Sequence, residues 1–239
     1  MIKAIVLDCG GVMVAPVTGD WILPPSFQAI LGEDFIAERL DDFRRVRSAY
    51  VHLLPDSHKI KSDAQEYQLT TAYYGQIFSA MDMQVSKEKI EELSYIQTYS
   101  NDRYTFFPDV LAYLEKWKAS YKLGIVSDAP PSTKRILSLH GVMDMIDAAT
   151  FSCDIGVLKP NPPIYTATLA KLNLLPEEAL FVDDLPANLR GAQEAGMPGV
   201  QMRREMPAYF EMPAQWDGDV VHNFAELDQY IQMLSIYLK

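Results

Sequence analysis

The sequence has few basic residues relative to its acidic ones, few cysteines and no long apolar run. Its 239 residues include 21 lysines and arginines against 32 aspartates and glutamates, so the net charge is −11. A general nucleic-acid-binding protein needs a basic surface to contact phosphates, and we therefore expect no nucleic-acid partner. The charge does not exclude a small anionic substrate, because a site sets its own local field.

The scarcity of cysteine and of apolar runs also bears on the compartment. Cys9 and Cys153 could form one bridge, but no secretory context supports it. The first residues, MIKAIVLDCGGVMV, carry one lysine and a short apolar run that Asp8 interrupts, unlike a signal peptide. No stretch approaches the roughly 20 apolar residues of a membrane helix. We expect a cytoplasmic protein without a membrane partner.

Short apolar runs and helical patterns alternate along most of the chain. The strand patterns lie at Ile2–Leu7, Leu123–Val126 and Ala179–Val182, with weaker ones at Ala148–Phe151 and Gly199–Met202. Helical patterns separate them at Val110–Trp117, Thr133–Leu139, Pro163–Leu172, Ala187–Ala195 and Phe224–Leu234. This alternation predicts an α/β fold with a doubly wound, mainly parallel, Rossmann-like sheet. Ligands of such sheets bind beyond the carboxyl ends of the strands.

The segment from residue 16 to residue 104 has a different pattern. It shows helical periodicity without a convincing strand at Phe27–Val51, Asp63–Ala80 and Lys87–Thr98. Turn-forming residues such as Pro24 and Pro25 punctuate it. We therefore predict a helical insertion at residues 16–104, within an α/β core made of residues 1–15 and 105–239.

Polar clusters lie at the ends of the predicted strands. Asp8 stands in LDCGGV, where the following glycines let a phosphate and a metal approach its carboxylate closely. Taken alone, Asp8 is better explained as a turn aspartate. Ser127 in GIVSDAP offers a hydroxyl suited to a phosphoryl oxygen, and it equally suits the N-cap of the following helix.

Two further clusters add a cation and a pair of carboxylates. Lys159 in VLKPNPPIY can neutralise both a phosphate and Asp8, and the alternative is a solvated loop lysine. Asp183 and Asp184 in LFVDDLPAN are costly neighbours at a strand end unless a cation lies between them. The alternative is one capping and one exposed aspartate. Each cluster alone is a weak signal, but their order and placement together indicate one site.

These motifs resemble the haloacid dehalogenase-like (HAD) hydrolase superfamily, in the subgroup with a helical cap inserted after the first core strand. The resemblance is carried by the segments Asp8–Val12, Val126–Pro130, Ser152–Tyr165 and Phe181–Met197. It implies a magnesium-dependent phosphatase that acts on a small phosphorylated metabolite. The cap carries no recognisable motif, so the sequence does not name that metabolite.

The resemblance also implies a role for each site residue. Asp8 would attack phosphorus and form an aspartyl phosphate, and Ser127 and Lys159 would complete the catalytic group. The substrate site would comprise Ser127, Asp128, Lys159 and Gly11. Mg²⁺ would be held by the Asp8 carboxylate, the Gly10 carbonyl, Asp183 and Asp184.

One position departs from the pattern of the family's phosphatases. They usually carry a second aspartate two residues after the nucleophile, as a general acid and base, and here Gly10 stands in that place. Such assistance is typically worth about 10²–10⁴-fold in rate. We therefore expect slow turnover of esters with poor leaving groups. His52 and His58 could supply an acid, although surface histidines are the expectation.

Two other functions compete with the phosphatase. A dehalogenase would use the same aspartate to displace halide from carbon. That reaction needs no Mg²⁺, so the carboxylate pair Asp183-Asp184 argues against it. The dehalogenases also usually have an aromatic-glycine-threonine run after the nucleophile, where this sequence has Gly10-Gly11-Val12. A binding or regulatory protein of the same fold is supported mainly by Gly10.

Asp128 is a further departure from the family's pattern, because the family more often has asparagine at that position.

Overall fold

The computed structural model describes residues 1–50, 58–205 and 213–237. In chain order, its strands are β1 (Ala4–Leu7), β2 (Val14–Pro16), β3 (Tyr104–Phe106), β4 (Lys122–Ser127), β5 (Ala148–Phe151), β6 (Ala179–Asp183), β7 (Gly199–Met202) and β8 (Val220–Val221). Its helices are α1 (Phe27–Leu31), α2 (Glu33–Tyr50), α3 (Asp63–Ala80), α4 (Lys87–Tyr99), α5 (Val110–Lys118), α6 (Pro131–Leu139), α7 (Ser152–Ile155), α8 (Pro162–Leu172), α9 (Pro186–Glu194) and α10 (Phe224–Tyr237).

Six strands form one parallel sheet in the order β5-β4-β1-β6-β7-β8. The chain runs outward from β1 to one edge through β4 and β5, and then to the other edge through β6, β7 and β8. The order therefore reverses between β1 and β6, where a crevice opens beyond the strand ends. The prediction of a doubly wound, Rossmann-like α/β sheet is confirmed.

The two faces of the sheet are buried by different helices. Ile5 and Leu7 of β1 belong to a core shared with α5 and α10, whereas Ala4 and Val6 belong to a second core shared with α8 and α9. Successive side chains of a strand point to opposite faces, which explains this division. All four residues of β1 are fully buried, as expected for a central strand covered on both faces.

Helices α1 to α4 form a layer with its own apolar core. Residues such as Phe43, Tyr74 and Ile77 make up this cluster. Between residues 17 and 103, the described part of the chain contains no strand. The prediction of one helical pattern over Phe27–Val51 is wrong, because Gly32 adopts a φ of 94° and separates α1 from α2. No described helix combines the length and the apolar character needed to cross a bilayer.

A short antiparallel ribbon joins the helical layer to the sheet. Strands β2 and β3 pair with Val14 opposite Phe106 and Pro16 opposite Tyr104. Both chain connections between the layer and the sheet therefore run side by side. The sequence pattern does not predict this ribbon, because strands of three residues are too short to show a period of two.

We predict opposite effects of the same substitution at two helical glycines. A Cβ at Gly191 of α9 would lie 2.4 Å from the Pro160 carbonyl oxygen, whereas a Cβ at Gly75 of α3 meets no atom within 4 Å. Gly191→Ala should therefore destabilise the fold by about 1–3 kcal/mol. Gly75→Ala should stabilise it by about 0.5–1 kcal/mol, because alanine favours a helix interior. Urea unfolding measures both, and equal effects would contradict the close packing of α9.

Candidate active site

Three carboxylates meet at the crevice between β1 and β6. Asp8 follows β1 directly, Asp183 is the last residue of β6, and Asp184 comes next. One carboxylate oxygen from each lies within 4.8 Å of those of the other two. Asp8 is 7% exposed and Asp183 is fully buried. The parallel strands thus bring together two sequence motifs that are 175 residues apart.

Lys159 supplies the positive charge of this cluster. Its Nζ lies 2.9 Å from Asp8 Oδ1 and donates a hydrogen bond of 2.7 Å to Asp183 Oδ2. Burial disfavours the ammonium, but the neighbouring carboxylates of Asp183, Asp8 and Asp128 outweigh it and raise the pKa of Lys159. The lysine therefore remains charged. The Lys159 backbone N–H donates to Asp128 Oδ1 at 2.9 Å, which anchors the loop.

Asp183 is held by groups on the next helix. Its Oδ1 accepts hydrogen bonds from the Leu185 backbone N–H at 2.8 Å and from Asn188 Nδ2 at 3.0 Å. Asn188 lies in the first turns of α9 and is 5% exposed. The sequence does not predict Asn188 as a site residue, although this asparagine lies within the Phe181–Met197 segment. Its amide sets the orientation of the Asp183 carboxylate.

The cluster is short of positive charge, because one ammonium faces three carboxylates. Burial first, and then the neighbouring carboxylates, raise the pKa of Asp184 to about 8. Burial likewise raises the pKa of Asp183 to about 6, against the attraction of Lys159. Asp8 Oδ1 is buried and receives no hydrogen bond, since its contact with Lys159 lacks hydrogen-bond geometry. Such an oxygen-only set of under-compensated acceptors suits Mg²⁺.

Gly11 allows the loop after β1 to approach Asp184 closely. Its φ of +69° favours glycine, and a Cβ there would lie 2.4 Å from Asp184 Oδ2. Any side chain at this position would displace that carboxylate. The structure packs Gly11 against Asp184, and its role as a substrate-binding residue stays a prediction.

The place of the family's usual acid is filled by an aromatic ring. A Cβ at Gly10 would lie 3.1 Å from Cη2 and 3.3 Å from Cζ2 of Trp21. Gly10 has no positive φ, so the ring, and not the backbone, restricts this position. Trp21 contacts Tyr104 edge to face, with ring centroids 5.8 Å apart. No sequence spacing signals the contact between Gly10 and Trp21, because it depends on how the layer meets the sheet.

Ser127 and Asp128 lie on the wall of the same cavity, at the end of β4. Ser127 is 3% exposed, and helix α6 is capped by Pro130 without a side-chain hydrogen bond, so Ser127 is not its N-cap. Solvent reaches part of Asp128, yet burial in the cavity wall raises its pKa to about 6, against the attraction of Lys159. The cavity has a volume of about 530 Å³ and also reaches Asp8, Gly10, Lys159 and Asp184.

His52 and His58 are the two histidines that the sequence offers as substitute acids. His52 lies outside the described residues. His58 is half-buried and is not among the described residues that line the cavity.

We predict that Gly10→Asp destabilises the fold through its contact with Trp21. The new side chain would meet the indole ring, at a cost of about 1–3 kcal/mol. Adding Trp21→Ala should recover part of that loss, because it removes the ring that the aspartate would meet. Thermal unfolding of Gly10→Asp, Trp21→Ala and the double variant completes the cycle. Strictly additive effects would contradict the contact.

We predict that Asp128→Asn makes stability less sensitive to pH. A carboxyl whose pKa rises from 3.8 to about 6 on folding binds its proton more tightly in the folded state. The parent therefore loses stability as the pH rises through that window. Asparagine retains an acceptor for the Lys159 N–H and does not titrate. The variant should thus gain melting temperature over the parent between pH 4 and 6, and a gain independent of pH would contradict this.

Comparison with known proteins identifies the family. The family model for haloacid dehalogenase-like hydrolases matches residues 2–196. A glyceraldehyde 3-phosphate phosphatase from Methanopyrus kandleri is 34% identical over 134 residues, 54% of this chain and 55% of the relative. The chain thus spans about half the length of such curated relatives.

Solved structures of two activities share the fold. A HAD phosphatase from Thermococcus onnurineus superposes with a TM-score of 0.60 and 23% identity, covering 96% of this chain and 98% of the other. The L-2-haloacid dehalogenase from Xanthobacter autotrophicus gives a TM-score of 0.65 and 20% identity, covering 97% and 99%. The fold alone therefore does not choose between these activities. The match over residues 2–196 and the shared architecture show that the chain belongs to the haloacid dehalogenase-like hydrolases.

Proposed function

We propose that the chain is a magnesium-dependent hydrolase of phosphomonoesters that acts through an aspartyl phosphate on Asp8. The observation that carries this proposal is the Lys159 ammonium, which lies between the carboxylates of Asp8 and Asp183, with Asp184 beside them. Asp8, Lys159 and Asp184 also line the cavity. One edge of the sheet thereby holds a nucleophile, a cation for the phosphate and a set of oxygen ligands for a metal. The similarity to a phosphatase points in the same direction.

The chain's own residues prepare Asp8 for attack. Lys159 stabilises the carboxylate at 2.9 Å and, by virtue of its charge, attracts the phosphoryl group to the same place. Ser127 offers its hydroxyl to a phosphoryl oxygen from the cavity wall. Asn188 and the Leu185 N–H hold Asp183 so that it faces Lys159.

A magnesium ion fits the cluster of Asp8, Asp183 and Asp184 carboxylates, and the family resemblance adds the Gly10 carbonyl as a ligand. When bound, it offsets the repulsion between the phosphate dianion and Asp8 and stabilises charge on the equatorial oxygens. Displacement of halide from a neutral carbon has no use for such a cation. The carboxylate cluster therefore favours the phosphatase over the dehalogenase.

The reaction divides into two displacements at phosphorus. In the first, an Asp8 oxygen bonds to phosphorus and the ester P–O bond breaks. With Gly10 against Trp21, no side chain at that position protonates the leaving oxygen, which takes its proton from water. In the second, water attacks the aspartyl phosphate, and phosphate leaves with Asp8 restored.

The same proposal assigns the helical layer to a cap domain. Residues 16–104 form the cap, over a core of residues 1–15 and 105–239. The separate apolar cluster of α1 to α4 and the ribbon at both crossing points support this division. The cavity of about 530 Å³ is lined from both parts and suits a small phosphorylated metabolite.

We predict that Asp8→Asn abolishes turnover without unfolding the chain. The amide cannot form the acyl phosphate, so magnesium-dependent release of phosphate from p-nitrophenyl phosphate should fall about 10³-fold or more. This ester has a good leaving group and needs little help from an acid. Chelation of magnesium should remove the parent's activity in the same assay.

The matched control is Asp217→Asn, which changes an exposed aspartate away from the cavity. It should retain the parent's rate. Full activity of Asp8→Asn, with circular dichroism showing a folded chain, would rule out Asp8 as the nucleophile.

A further inference from the structure

The cavity wall opposite the carboxylates is apolar. It is formed by Trp21, Ile22, Ile60, Leu69, Tyr73 and Tyr104. Most of these residues belong to the helical layer or to the segments that lead into it. Trp21 also contacts Gly10, so the apolar surface begins next to the reacting centre. Asp8 and this apolar wall thus line the same cavity.

Several polar side chains on that wall already have protein partners. Both Glu66 carboxylate oxygens accept hydrogen bonds from Ser132, one from its backbone N–H at 3.0 Å and one from its hydroxyl at 2.6 Å. Gln97 Nε2 donates to the Trp21 carbonyl at 2.8 Å. These groups offer few remaining hydrogen bonds to a ligand.

The one arginine among the described lining residues is likewise engaged. Arg103 is 5% exposed and donates from Nη2 to Ser132 Oγ at 2.7 Å. The same serine hydroxyl donates to Glu66, and the unpartnered Nε of Arg103 is buried. The Tyr104 hydroxyl pairs with Thr133 Oγ1 at 3.2 Å. The wall therefore presents mainly rings and methyl groups, and its Arg103 and Glu66 are connected through Ser132.

We infer that the substrate is the phosphomonoester of an apolar alcohol about the size of one ring, and not of a polyol. This rests on the proposed function and names the substrate class of the same site. Apolar groups gain from leaving water for such a wall. The hydroxyls of a sugar would lose their water partners there without replacement, and each such loss lowers binding by about tenfold. The cap thereby selects against the commonest sugar phosphates.

Two esters of the same shape test this inference. Cyclohexylmethyl phosphate and glucose 6-phosphate each carry a six-membered ring on a CH₂–O–P group, so their leaving alcohols are both primary. The ring oxygen makes the glucose alcohol the better leaving group, so a higher kcat/KM for the cyclohexylmethyl ester reports the cavity wall and not the leaving group. With magnesium present, the cyclohexylmethyl ester should be favoured by at least about tenfold.

A variant on the wall and a matched control locate the effect. Leu69→Gln adds an amide to the apolar wall and should lower the preference by about fivefold or more. Leu139→Gln makes the same change on a leucine that is 61% exposed and does not line the cavity. It should leave the preference unchanged.

The outcomes separate this inference from the proposed function. If p-nitrophenyl phosphate is hydrolysed with magnesium but glucose 6-phosphate equals or exceeds the cyclohexylmethyl ester, the inference is overturned and the phosphatase stands. An equal loss of preference in Leu69→Gln and Leu139→Gln would also overturn it. If no phosphate ester is hydrolysed, the proposed function fails and the inference fails with it.

Discussion

Lys159 Nζ lies 2.9 Å from Asp8 and 2.7 Å from Asp183, and the other features of the site are arranged around these contacts. Burial of a carboxylate is costly without a compensating charge. One lysine compensates Asp8 and Asp183 only in part, since Asp184 adds a third carboxylate whose pKa is raised to about 8. The remaining deficit of positive charge is the physical reason to place a divalent cation there.

Close packing at two glycines shapes the loop that follows Asp8. Gly11 lets the backbone meet Asp184 with no room for a Cβ, and Gly10 faces the ring of Trp21. The same loop thus brings the carboxylates together and packs the position of the usual acid against an aromatic ring. A side chain at Gly10 would contact the indole of Trp21, which also lines the cavity.

In the proposed function, the helical layer adds selectivity to chemistry that takes place at the sheet. Its polar groups, Glu66 and Gln97, are used in holding the layer to the core and in fixing the segment of Trp21. Engaged in this way, they hold the helical layer against the sheet and leave a mainly apolar surface for a ligand. A cavity can therefore contain several polar residues and still favour an apolar group, since satisfied groups offer little to a substrate.

The sequence by itself determined the α/β fold and indicated the location that we propose for the chemistry. Apolar runs ending in Asp8, Ser127 and Asp183 indicate buried parallel strands, and the carboxyl ends of such strands share one edge. Tertiary structure alone decided what surrounds these residues. The contact of Trp21 with Gly10, the amide of Asn188 on Asp183 and the pairing of Glu66 with Ser132 join residues on different elements. Periodicity reports only which face of an element is buried, so it carries no information about which side chain from another element meets that face.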